Sequence, residues 1–170
     1  MAICVQCNQT LDDSAAVCPH CRKPLPLPSG SADHILCSHF LEHVYPGEAK
    51  EILTDFNRVL KPGGTLHIIV PDLEYQVKEY IRQREEGERF AADVLVERTL
   101  LTKRDRGTLK FRILESLGQF GLTHRWMYDS ETISHMVEEA GFGILSSATT
   151  PSDYVRADDP ESVHVRAIKA

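Results

Sequence analysis

Four cysteines near the start of the chain carry the clearest chemistry. Cys4-x-x-Cys7 is followed by ten residues and then by Cys18-x-x-Cys21, within MAICVQCNQTLDDSAAVCPHCRKPL. Each pair lets two thiolates turn onto one ion. The span between them is long enough for a short hairpin that brings both pairs to a tetrahedral centre. Pro19 and its small or polar neighbours suit a tight knuckle. Two disulfides are the alternative, and a reducing cytoplasm disfavours them. A redox CxxC needs a βαβ context and one pair, not two. The spacing therefore predicts a structural zinc ribbon over residues 1–24, ligated by Cys4, Cys7, Cys18 and Cys21. With sulfur in all four positions the ion stabilises the module and does no Lewis-acid chemistry. A module this small cannot fold on its core alone, so the metal is its staple.

A second pattern is His39-Phe40-Leu41-Glu42-His43, which matches the H-x-x-E-H of inverted zinc peptidases. On one helix the two histidines could share a face and hold an ion. His39 is expected at the end of a strand, before the helix, and the sequence shows no third ligand. Peptidase chemistry is therefore not expected. Cys37 lies among apolar neighbours and reads as a core residue rather than a nucleophile. Asp72 follows an apolar strand, where substrate-side groups often lie, but it equally caps the helix that starts at Leu73, and the cap is preferred. His124, Arg125 and Trp126 form a polar-aromatic cluster ahead of a helix, which packing of Trp126 on the sheet explains as well.

These residues need elements to hold them. A chain of 170 residues suggests one domain, or one domain plus a small module. Hydrophobic content of 42% supports a real core. The formal net charge is −6 and the pI about 5.7. Nucleic acid is thus not favoured as a partner, since phosphate binding needs clustered Lys and Arg. Residues 1–30 balance Asp12 and Asp13 against Arg22 and Lys23 and show no basic face. No apolar run approaches the roughly 18 residues of a membrane span, and no signal-peptide pattern opens the chain. A soluble cytoplasmic protein is expected.

Pro, Ser and Gly in KPLPLPSGSAD mark a linker over residues 25–33. The α/β part is expected over 34–170. HILCSHF reads as a short strand. PGEAKEILTDFNRVL follows as a helix with Ala49, Ile52, Leu53, Phe56, Val59 and Leu60 on one face. Pro62 and the glycines after it end the helix. TLHIIV, residues 65–70, reads as a strand covered on both faces. Strand, helix and parallel strand make a right-handed βαβ unit. The charge-rich region from Leu73 to about Leu117 reads as helices with solvated faces. DSETISHMVEEAGFG is a helix capped by Asp129 or Ser130 and closed by Gly141. ILSSATT and SVHVRAIK are expected as a final antiparallel strand pair.

Three motifs in this part resemble a known family. They are Ser38-His39-Phe40-Leu41-Glu42-His43, Arg58-Val59-Leu60-Lys61-Pro62-Gly63-Gly64 and Val70-Pro71-Asp72. THRWMYDSETISHMVEEAGF, residues 123–142, adds to them. Together they resemble the later part of class I S-adenosylmethionine-dependent methyltransferases, most of all a group of small bacterial predicted methyltransferases. The resemblance covers roughly residues 31–170. It implies a Rossmann-like sheet, methyl transfer, and cofactor contacts at Ser38, His39 and Phe40. It also implies that Asp72, His124 and Arg125 border the acceptor pocket. Because some methyltransferases use acidic residues after this strand, a Mg²⁺ site through Glu42 and His43 is a further reading.

The departure from the family is large. Its Gly-rich loop and ribose-binding carboxylate lie on strands that precede the matched part, and this chain has no G-x-G-x-G. The expected fold is therefore a truncated sheet of about four strands with flanking helices, in the family's order 4-5-7-6, plus the zinc ribbon. Two functions remain open. One is a non-catalytic binding or assembly module that does not hold S-adenosylmethionine alone. The other is a methyltransferase completed by a partner chain. Truncation makes the strand His34–His39 an edge without Lys, Pro or bulge, so a homodimer through it is expected.

Overall fold

The computed structural model describes residues 2, 3, 10, 11, 25–102, 123–147 and 161–170. The cysteines expected to bind zinc lie outside the described residues. Near them, β1 (Ala2–Ile3) pairs antiparallel with β2 (Thr10–Leu11), with Ala2 opposite Leu11 and Ile3 opposite Thr10. In sequence these two strands flank Cys4 and Cys7.

A four-stranded mixed sheet holds the rest together, in the order β3-β4-β6-β5. β3 (Ala32–Ser38) runs parallel to β4 (Leu60–Pro71). β6 (Ser162–Lys169) lies antiparallel between β4 and β5 (Phe142–Ser147). The order is the one expected from the resemblance, and β3 occupies an edge among the described residues.

Between β3 and β4 runs α1 (Pro46–Val59). Proline at its start supplies a φ already set for a helix. The Glu48 carboxylate accepts from the Tyr45 backbone N–H at 2.9 Å, using a donor that the first turn leaves unpaired. Ala49, Ile52, Leu53, Phe56 and Val59 are all buried against the sheet, as the spacing predicts. Lys169 at the end of β6 donates its ammonium to the carbonyls of Asn57 and Leu60, at 2.6 and 2.8 Å. A cation at a helix C-terminus satisfies orphan carbonyls and complements the dipole.

β4 begins earlier than expected. Ala32 pairs with Leu60, and the next pair is His34 with Thr65, so residues 61–64 form a bulge rather than a turn outside the sheet. Gly64 makes this possible. A Cβ there would lie 2.9 Å from the Lys61 carbonyl oxygen and 3.1 Å from that of Asp33. Beyond the bulge Leu66, Ile68, Ile69 and Val70 are all buried, as in a strand covered on both faces.

The segment expected as a linker is docked onto α1. Asp55 accepts from the Leu25 backbone N–H at 2.7 Å and from Arg58 Nε at 2.6 Å. Arg58 donates onward to the carbonyls of Leu27 and Leu25. Its planar fork thus ties two turns of the linker to one helix end.

After β4, α2 (Leu73–Glu85) and α3 (Ala91–Thr99) pack on each other. The last helix, α4 (Ser130–Glu139), has Asp129 at its N-cap, accepting from Thr132 N at 2.8 Å. Ile133 and Val137 bury its inner face. Gly141, at φ +88°, ends it in the left-handed region. Its carbonyl accepts from the Asn57 amide at 3.1 Å, which clips α4 to α1.

Candidate functional site at the carboxyl edge of the sheet

β3 ends in a sharp turn. His39 has φ +50°, in the left-handed region that non-glycine residues rarely enter. Its backbone N–H donates to the Ile69 carbonyl at 2.9 Å, the last rung between β3 and β4. The Ser38 hydroxyl lies 3.0 Å from His39 Nδ1. Phe40 is partly buried against the core. A single 3₁₀ turn, Leu41–His43, then leads to α1. This breaks the helical geometry that H-x-x-E-H needs. His39 is exposed at the end of the strand and His43 closes the 3₁₀ turn, so the two do not share a helix face.

The turn instead directs Glu42 inward. Its side chain is buried completely, and neither carboxylate oxygen has a hydrogen-bond partner among the described residues. Burial pushes its pKa up from an ordinary 4.5 to about 7. His43 stands beside it, with Nε2 3.9 Å from Glu42 Oε1. The other ring nitrogen, Nδ1, lies 3.3 Å from the Thr123 carbonyl.

The third member comes from the segment before α4. The Glu42 carbonyl accepts from Arg125 N at 2.6 Å and Trp126 N at 3.2 Å. These bonds hold residues 124–126 against the 3₁₀ turn and bring His124 edge-on to His43, with ring centroids 5.0 Å apart. His124 is buried, its Nδ1 has no partner among the described residues, and burial with the neighbouring His43 lowers its pKa. Glu42, His43 and His124 each bring a ligand atom within 4.8 Å of the other two.

Two more buried groups complete the surroundings. Tyr128 is 1% exposed, and its hydroxyl has no partner among the described residues. Burial, reinforced by Glu42 and Cys37, pushes its pKa up to about 12. Cys37 is buried in the core, and burial raises its thiol well above the usual range, so it is inert as a nucleophile.

The remaining sequence candidates are placed as follows. Asp72 caps α2, accepting from Glu74 N at 2.9 Å, and its backbone bridges to Tyr128. Its pKa is raised, chiefly by burial. Arg125 is exposed, with its guanidinium 5.0 Å above the Tyr45 ring. Trp126 is 49% exposed and is not packed flat on the sheet. Among the described residues, then, the site gathers His124 with Glu42 and His43, while Ser38 is half-buried and His39 and Arg125 are exposed.

Sequence reasoning did not place His124 beside Glu42 and His43, and it missed Tyr128 altogether. His124 was visible only as a polar residue before a helix. Its meeting with Glu42 depends on a backbone contact between residues far apart in sequence.

Comparison with known proteins agrees with this architecture. Residues 3–68 match the model of a methyltransferase domain. That stretch takes in the cysteine-bearing segment as well as β3, α1 and most of β4. Among solved structures, an S-adenosylmethionine-dependent methyltransferase from Methanosarcina mazei aligns with 85% of this chain at 20% identity and a TM-score of 0.52. The four-stranded sheet with its flanking helices resembles the core of that methyltransferase's fold. A possible histamine N-methyltransferase from Thermotoga maritima aligns with 86% of the chain at 17% identity and a TM-score of 0.47. A chain from the complex of the Haloferax volcanii Trm112 methyltransferase activator with a putative methyltransferase aligns with 85% at 13% identity and a TM-score of 0.48. This chain spans 62%, 59% and 57% of those three chains. No curated protein matches it. No described helix is long and apolar enough to cross a membrane.

Proposed function

We propose that this chain is a methyltransferase-derived half-domain carrying a four-cysteine zinc ribbon, and that it works as a binding or assembly module. In this reading the 170-residue chain does not hold S-adenosylmethionine by itself. The observation that carries the proposal is the place of β3 at the edge of the sheet among the described residues. Ligands of open α/β sheets sit at the carboxyl ends of strands, where the strand order reverses. Such a crevice needs a wall on each side. Here Ser38, His39 and Phe40 offer one wall, beside an edge strand. The sequence contains no Gly-rich loop to bring backbone donors to the other.

The same edge supplies the assembly surface. Leu36 is 43% exposed on β3, and the strand carries no Lys or Pro to protect it. Pairing of two copies through residues 34–39 joins two four-strand halves across a two-fold axis. A second reading uses the edge differently: a partner chain bearing the strand, loop and helix completes an active methyltransferase.

Light scattering coupled to size exclusion tests the assembly. A dimer that Leu36→Lys converts to a monomer supports pairing of copies through β3. A monomer at tens of micromolar, unchanged by Leu36→Lys, overturns it.

A further inference from the structure

We propose that Glu42, His43 and His124 form a binding site for one divalent transition-metal cation of the Zn²⁺ or Co²⁺ kind, separate from the cysteine ribbon. The proposal does not depend on whether the chain binds S-adenosylmethionine.

Its first support is a concentration of unanswered polar atoms. Both Glu42 oxygens, His124 Nδ1 and the Tyr128 hydroxyl are buried without partners among the described residues. A folded protein leaves few such atoms, because each loses its hydration without replacement. Three of these atoms lie on Glu42 and His124, whose ligand atoms come within 4.8 Å of each other and of His43, and they point to a missing common partner.

The second support is the His43 tautomer. The Thr123 carbonyl can only accept, so the contact at 3.3 Å places the His43 proton on Nδ1. Nε2 is then left as an acceptor, 3.9 Å from Glu42 Oε1. Two acceptors at that distance share no hydrogen bond. A cation between them satisfies both. A carbonyl that fixes the tautomer of a ligating histidine is the usual outer support of such a site.

The third support is reach. The three ligand atoms lie within 4.8 Å of one another. Donors around one tetrahedral ion stand roughly 3.4 Å apart, so side-chain rotation of about an ångström closes the set. The backbone need not move, since the Arg125 and Trp126 N–H groups already bind the Glu42 carbonyl. The His43 side chain is 26% exposed, which leaves an approach from solvent. Three protein ligands and an approach from solvent are the pattern of a site that binds water or substrate in its fourth position.

The donor set also selects the ion. Two imidazoles and one carboxylate suit Zn²⁺, Co²⁺ and Ni²⁺. Mg²⁺ prefers an octahedral shell of oxygens and sheds water reluctantly. The Mg²⁺ reading of Glu42 and His43 is therefore replaced by a transition metal, with His124 as the added ligand.

Co²⁺ titration of the full chain tests the site, because its absorption reports the donors. Cysteine ligands give sulfur-to-metal charge transfer, whereas a nitrogen and oxygen site gives ligand-field bands alone. Wild type is expected to take up one equivalent of Co²⁺ per chain without a sulfur band, beyond any equivalent that shows one. In Glu42→Gln and His124→Ala that equivalent should weaken at least ~100-fold, the upper end of what loss of an outer partner alone costs. Glu42→Gln keeps the side chain's shape, so it remains informative if His124→Ala fails to fold. Equal uptake of this class by wild type and Glu42→Gln overturns the site, as does wild type showing no such equivalent.

Discussion

Replacing Glu42 with Gln should stabilise the metal-free protein, and by an amount that grows with pH. In the folded state the carboxyl is fully buried and neither oxygen has a partner among the described residues. Its pKa rises from an ordinary 4.5 to about 7. Between those values the folded protein binds more protons at this site than the unfolded chain, so stability falls as pH rises. Above about pH 7 both states are ionised and the loss is complete. At roughly 1.4 kcal/mol per pH unit the full loss is about 3 kcal/mol. Gln keeps the shape and cannot ionise, so the variant escapes this term. Urea unfolding of both proteins at pH 4, 6 and 8, each with the same chelator, measures it. Near pH 4 the two should be alike, and near pH 8 the variant should lead by about 3 kcal/mol. A gap that does not change with pH would refute the reasoning, because it would mean that the folded carboxyl keeps its ordinary pKa.

Two further outcomes follow from other parts of the molecule. His67 Nε2 lies 3.3 Å from His164 Nδ1, and burial, His164 and Arg166 lower the His67 pKa from 6.5 to about 4. The folded state therefore resists protonation there, stability is lost as pH falls below about 6.5, and His67→Gln should recover about 1–2 kcal/mol near pH 4 after allowance for solvent screening; identical acid unfolding of both proteins would contradict this. Elemental analysis should find about one zinc per chain bound through Cys4, Cys7, Cys18 and Cys21, and chelation should leave the circular dichroism of the α/β part largely intact. Metal-free protein with four rapidly reacting thiols would overturn the ribbon.

The regular elements were legible because their signals are local. The buried face of α1 follows from the spacing of Ala49, Ile52, Leu53, Phe56 and Val59, and β6 was bounded by its alternating run from Ser162 to Lys169. The sheet order came from the resemblance, since nothing in strand composition says which strand lies beside which. What escaped was set by backbone contacts that no local pattern announces. The bulge at residues 61–64 rests on how closely Gly64 approaches two carbonyls. Composition marks residues 25–33 as a linker but does not announce the bonds that join Asp55 and Arg58 to Leu25 and Leu27. His39 was expected at the strand end rather than on a helix, as found, but the letters did not show that a 3₁₀ turn follows and redirects Glu42 and His43. His124 joins them only because two backbone N–H groups beyond it find the Glu42 carbonyl.

Isothermal titration of the purified chain with S-adenosylmethionine, repeated with S-adenosylhomocysteine, bears most directly on the proposed function. A cofactor held on one wall, at the edge strand β3 and without backbone donors from a Gly-rich turn, should bind no tighter than about millimolar. A micromolar dissociation constant for the isolated protein would contradict the binding-module reading and establish a complete cofactor site within this chain.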